Sequence, residues 1–271
     1  MLAWRLWWAL NSPLVRHPVF RRTMRLPDSE PRLTRHLSTG LSVFIWLLLC
    51  PLACTAPLIA LCVFLALPGA RLAAKVSATI AKEQARGLET LMGVTPDGLM
   101  GVSWVICTVY RDGRPPDFFL TRDEIIALVF FCCLSTLAFG LAGFSLFIIG
   151  GLALVIAYVD FAQSLVLGSL VGIWSAHSDN HMDARLQAVT GYIGLQAMVY
   201  IPVLMLGFIL LGFTMGNSTP DAVLKITLGI VGLGCFLCAL RETVIVVVWH
   251  HLVNTLNADL SDLRHATYNA S

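Results

Sequence analysis

Three sets of polar residues have the types and spacing to do chemistry. The first is Glu83, Arg86 and Glu89, which fall at i, i+3 and i+6 beside Leu88, Leu91 and Met92. That spacing gives a short helix with one charged and one apolar face. Gly93 loosens its end, and Thr95-Pro96 closes it, because proline cannot continue a helical ladder. Such a helix, tied to apolar runs, either lies flat on a membrane or offers its polar face to a soluble partner. The second set is Asp160, Gln163 and Ser164 in IAYVDFAQS, with Arg241 and Glu242 in a later apolar run. A carboxylate in such a run is costly. It is therefore paired, protonated or set on a water-filled path, and two readings stay open: a substrate or proton path, or a polar contact with another span or subunit. Arg241 is expected to snorkel to the inner headgroups. The third set has ligand-type residues: His177, Asp179, His181 and Asp183, the pair His250-His251, and the CxxC of Cys235 and Cys238. His177 and His181 could share a metal only if their segment were helical; a solvated loop is the expectation. Adjacent histidines diverge, and the CxxC has no basic neighbour to lower a thiol pKa. No metal or cofactor is expected, and no Ser-His-Asp group, HExxH or paired carboxylates point to an enzyme.

The elements that must position these residues are membrane spans. Of 271 residues, 57% are hydrophobic and 13% charged, against about 25% charged in ordinary globular chains. The apolar runs are too long for a soluble core. The expected fold is all-α, a polytopic bundle of six transmembrane helices with an N-terminal interfacial helix and a cytoplasmic coupling-type helix. Residues 1–39 form a basic interfacial segment, in which Trp4, Trp7, Trp8 and Arg5 suit the headgroup layer. Residues 40–253 hold spans at about 36–56, 57–80, 124–148, 152–175, 186–213 and 222–243, and 254–271 is a polar tail. Gly40–Ala70 reads either as one kinked span or as a hairpin bent at Pro51–Pro57. Leu99–Tyr110 is too short to cross and is expected to be a second interfacial helix. Gly150-Gly151 is expected to turn the chain between two spans.

Charge placement favours the six-crossing arrangement with both termini in the cytoplasm. Of 18 Lys and Arg, only Lys225 then falls outside, and Arg241 lies near an inner boundary. Gly168-x-x-x-Gly172, and Gly229, Gly232 and Gly234, would let helices approach closely. Nothing indicates nucleic-acid binding.

KEQARGLETLMGVTP resembles the signature of ABC-2-type permeases, the membrane subunits of type V ABC transporters, which runs roughly E-[KR]-[EQ]-x-G-T-L-E-x-L-x-x-T-P. Glu83, Gly87, Leu88, Glu89, Leu91, Thr95 and Pro96 match. HPVFRRTMR is similar to the family's N-P-V-L-x-R-E-L-R, through Pro18, Val19, Phe20, Arg22 and Arg25. His17 stands where the family has Asn, and Thr23 where Glu is usual. The resemblance implies a multi-pass cell-membrane subunit that moves a substrate when a separate ATP-binding subunit drives it. It also implies partner-coupling residues among Glu83, Arg86, Gly87, Glu89 and Leu91, and a second permease copy or other membrane subunits in the same bilayer. The chain has no G-x-x-x-x-G-K-[ST], so a partner would have to supply the phosphate-binding loop. The alternative is a non-transporting accessory subunit of a larger membrane assembly with a permease-like fold.

Overall fold

The computed structural model describes residues 1–11, 57–86, 98–112, 144–178, 183–215 and 222–256. Among them there are six helices and no strand: α1 (Leu2–Leu10), α2 (Pro57–Ala85), α3 (Gly98–Asp112), α4 (Phe144–Ala176), α5 (Ala184–Met215) and α6 (Ala222–Leu256). An apolar chain removed from water must satisfy its backbone internally, and a helix does so within one segment. Local chemistry sets several starts. Pro57 opens α2, where its missing N–H is no loss. Asp183 accepts the Arg185 amide at 3.1 Å and caps α5. Gly98, at φ 62°, supplies the left-handed turn into α3 that a side chain would disfavour. Pro68 and Pro202 lie within α2 and α5.

Three stretches are long and apolar enough to cross a membrane, Val155–Ala176, Ala184–Leu210 and Thr227–Leu256, which points to a multi-pass membrane protein. The helix ends differ from the sequence expectations in four places. The chain passes through Gly150-Gly151 as helix, so no turn stands there. Nothing stands within 4 Å of a Cβ built on Gly151, so it is the apolar helical run on either side that carries the helix through the pair. The last helix runs past the expected end of its span near 243, on to Leu256. Ala81–Ala85 is the last turn of α2 rather than part of a separate short helix. Leu99–Tyr110 does not lie open on a surface: every residue from Met100 to Tyr110 is buried. A helix apolar on all sides has no face to leave in water. The expected span 36–56, most of 124–148, residues 87–97 and the tail beyond Leu256 lie outside the described residues.

The contacts give the helix directions. Leu65, Gly69 and Ala73 of α2 meet Ser164, Gly168 and Gly172 of α4 in that order, so α2 and α4 run parallel. Ile156, Asp160 and Trp174 of α4 meet Gly234, Arg241 and His251 of α6, so α6 is parallel as well. Tyr200, Tyr192 and Gly191 of α5 meet Asp160, Ser164 and Trp174, and α5 runs back. The C-terminal ends of α2, α4 and α6 and the start of α5 therefore share one end of the bundle.

The α2–α4 seam is backbone against backbone. A Cβ on Gly168 would sit 2.3 Å from the Gly69 carbonyl oxygen, and one on Gly172 would sit 2.9 Å from that of Ala73. Gly234 is likewise closed by Ile156, whereas Gly229 and Gly232 face open space. The buried helix α3 touches α2 where the Thr79 and Tyr110 hydroxyls meet at 2.6 Å.

Candidate functional site

Three helices bring their polar side chains to one level of the bundle. Asp160, Gln163 and Ser164 share one face of α4 because three and four residues are one turn. Tyr192, Gln196 and Tyr200 share a face of α5 for the same reason, and all six are buried. Arg241 enters from α6 with no exposed surface. Its Nη1 lies 2.6 Å from Asp160 Oδ1 and donates to the Asp160 carbonyl at 2.7 Å. Its Nη2 donates to Gln196 Oε1. Tyr200 donates to Asp160 Oδ2 at 2.8 Å, and its ring lies 5.0 Å from the guanidinium carbon. Arg241 thus does not snorkel. The helix continues 15 residues past it, which sets it within α6 and leaves Asp160 as the nearest neutralising group.

The hydrogen bonds form a directed chain. Gln196, having accepted from Arg241, donates through Nε2 to Tyr192 at 2.6 Å. The Tyr192 hydroxyl meets Ser164 Oγ, and Ser164 donates to the Leu65 carbonyl of α2 at 3.1 Å. Each member can accept from one neighbour and donate to the next, which strengthens the whole in a low-dielectric interior. Gln163 reaches the Cys238 carbonyl at 3.4 Å.

Glu242, next to Arg241, points elsewhere. Its carboxylate accepts the backbone N–H of Leu2, and that of Ala3 at 3.2 Å. A carboxylate at a helix N-terminus satisfies orphan donors and complements the dipole. It holds α1 with Ala3, Leu6, Trp7 and Leu10 facing the bundle. Truncation at Glu242→Ala is expected to weaken the docking of α1 by about 0.5–2 kcal/mol. Amide exchange of Leu2–Leu10 should then quicken roughly 2- to 30-fold, while Glu242→Gln, which keeps an acceptor, falls between. Unchanged exchange in α1 would show that the cap does not hold it.

The coupling-type residues are divided. Glu83 is buried and pairs with Arg86 at 2.9 Å, and Arg86 is exposed. The acid therefore orients the base, and the base is the group offered outward. Gly87, Glu89 and Leu91 lie outside the described residues.

The ligand-type residues do not converge. Among the described residues no group of three His, Cys, Asp or Glu could hold a metal. His177 Nδ1 is bonded to the Ile173 carbonyl, Asp183 caps α5, and Asp179 and His181 lie outside the described residues. His250 bonds back to Val246, while His251 lies edge-on to Trp174 at 6.1 Å. Cys62, Cys107, Cys235 and Cys238 are free thiols. Burial pushes the Cys107 thiol well above its ordinary range, which keeps it protonated and poorly nucleophilic.

Sequence reasoning missed Tyr192, Gln196 and Tyr200. Their spacing of four within an apolar run is a polar stripe, and it was the available signal. No protein-family model, curated protein or solved structure matches the chain.

Proposed function

We propose that this chain is the transmembrane permease subunit of an ABC-2-type transporter, driven by a separate ATP-hydrolysing subunit. The observation that supports the reading best is a lever. Glu83 and Arg86 stand at the end of an unbroken helix, Pro57–Ala85. The body of that helix is seamed to α4 at Gly69–Gly168 and Ala73–Gly172. A push on Arg86 would reach the bundle without passing through a flexible joint. His177, Asp183 and Arg185 share that end and offer a second contact. In this reading the chain sits in the cell membrane with both termini cytoplasmic. The ATPase docks on residues 83–91, and a second copy or another membrane subunit completes the assembly. The chain itself performs no catalysis.

A second reading has its own support. The polar groups of α4, α5 and α6 are largely spent on one another, and His17 and Thr23 depart from the family segment. Both suit an accessory subunit that keeps the fold without transporting.

Purification of the full chain from its native membranes separates the two. The transporter reading expects a P-loop ATPase to copurify, and Arg86→Glu to lower its recovery at least tenfold, about 1.4 kcal/mol of binding. Equal recovery with wild type and variant would remove coupling through this helix end. Absence of any nucleotide-hydrolysing partner would favour the accessory role.

A further inference from the structure

We infer that α1 marks the plane of one membrane surface, and that the half of the bundle beyond it stands in water. The inference does not rest on the transport reading, and it uses four observations.

The first is the attitude of α1. Its N-terminal amides are held by Glu242 of α6, while Trp7 lies edge-on to Tyr158 and Phe161 of α4, each at 6.5 Å. Those anchors sit at one level, because Asp160 meets Arg241. The anchors at Leu2–Ala3 and at Trp7 are therefore at the same height, and this part of α1 crosses the bundle rather than running along it. A helix lying across its neighbours, with an apolar face inward, lies parallel to a bilayer.

The second is what α1 turns outward. Trp4 is 43% exposed and Trp8 60%, stacked edge-on at 6.1 Å, with Arg5 exposed between them. Indole and guanidinium suit the headgroup layer, where a ring is half wet and a cation meets lipid phosphate.

The third is length. From Ala222 to Arg241 there are about 20 residues, or about 30 Å of helix, the thickness of a hydrocarbon core. The remaining 15 residues to Leu256 extend about 22 Å further.

The fourth is the change in surface chemistry at that plane. On one side the exposed side chains include Val155, Ile201, Met205, Phe208, Leu228 and Phe236. On the other, the exposed apolar residues Leu186, Ile193, Met198 and Val247 are joined by Arg86, Asp183, Arg185, His250, Asn254 and Thr255. Arg71 and Lys75 flank Gly69 and Ala73, which lie level with Gly168 and Gly172. A membrane covering all of Val155–Ala176 would bury those two cations in hydrocarbon, at high cost. With the surface at α1 they lie beyond it, among other basic residues.

The partner is thus a lipid surface bearing phosphate headgroups, seated on Trp4, Arg5 and Trp8. The ion pair Asp160–Arg241 sits at the boundary rather than mid-membrane, and the buried helix α3 belongs to the half in water.

Single cysteines at four exposed positions test the plane in the full chain, reconstituted in phosphatidylcholine–phosphatidylglycerol liposomes. A membrane-impermeant sulfonated maleimide is supplied to both leaflets by freeze–thaw, and the parent chain sets the background. Ile193→Cys and Val247→Cys are expected to react at least tenfold faster than Ile201→Cys and Phe236→Cys, with all four equal after denaturation in SDS. If Ile193→Cys and Val247→Cys prove as slow as the other two, the plane is wrong. A bimane on Trp8→Cys gives a second reading. Quenching by a headgroup nitroxide should exceed quenching by one deep in the acyl chain, and the reverse order would overturn the placement of α1. Neither measurement involves an ATPase, so the transport reading can fail without it.

Discussion

Replacement of Arg241 by methionine is expected to destabilise the folded chain by about 3–5 kcal/mol, the usual loss when one member of a buried ion pair is removed. The variant leaves the Asp160 carboxylate buried with only Tyr200 as donor and removes the donor to Gln196. The effect spreads because Gln196 continues to Tyr192, Ser164 and the Leu65 carbonyl, so four helices lose one shared constraint. Thermal unfolding in detergent, followed by size-exclusion recovery, measures it. Arg241→Lys should rescue only part, since an ammonium lacks the planar fork that reaches Asp160 and Gln196 together. The double variant Asp160→Asn/Arg241→Met should recover most of the loss by discharging the orphaned acid. If Arg241→Met unfolds at the wild-type temperature, the pair does not hold the bundle.

Gly168→Ala is expected to cost about 1–3 kcal/mol, the range for overpacking a filled core, and to lie at its upper end. The added Cβ would meet the Gly69 oxygen at 2.3 Å, with the Gly69 carbonyl carbon and Cα both at 2.9 Å. Those are backbone atoms of another helix, which cannot rotate away, so α2 and α4 must part. Their separation would also strain the Ser164–Leu65 hydrogen bond. Gly172→Ala should be milder, with its nearest atom at 2.9 Å. Gly229→Ala meets nothing and should be neutral or stabilise by about 0.5–1 kcal/mol, the gain of alanine over glycine in a helix. The comparison is made by unfolding all three variants side by side. Equal behaviour of Gly168→Ala and Gly229→Ala would refute the backbone seam.

How much of this was legible in the sequence depended on the range of the interaction. The all-α membrane class and the ends of α5 follow from apolar run length, a local property. Gly168 and Gly172 were readable as a seam because four-residue spacing of small residues has one geometric meaning. Gly150-Gly151 misled because two adjacent glycines look like a turn, whereas the long apolar run on both sides carries one helix through them. The fate of Leu99–Tyr110 was in principle readable, since GLMGVSWVICTVY has no polar side for a headgroup layer; its length drew attention away from its all-round apolarity. The meeting of Asp160 with Arg241 was not readable. Eighty-one positions separate them, and their register depends on how α4 and α6 cross. A lone acid and a lone base in two apolar runs are still a reason to test them as a pair. The i, i+3 spacing of Glu83 and Arg86 shows in their ion pair, but the burial of Glu83 arises from tertiary packing that no local pattern encodes.

The neighbours Arg241 and Glu242 grip opposite partners, and that restricts how α6 can move. Successive residues project about 100° apart on a helix. Turning α6 by one position in one sense would aim Glu242 at Asp160, and in the other would aim Arg241 at the amides of α1, so either sense sets like against like. Inserting one residue between Gly234 and Arg241 would aim the guanidinium at the amides of α1 and leave Asp160 without its cation. Sliding by a whole turn would break both grips at once. Tied through these two residues, α1, α4, α5 and α6 are expected to move as one block.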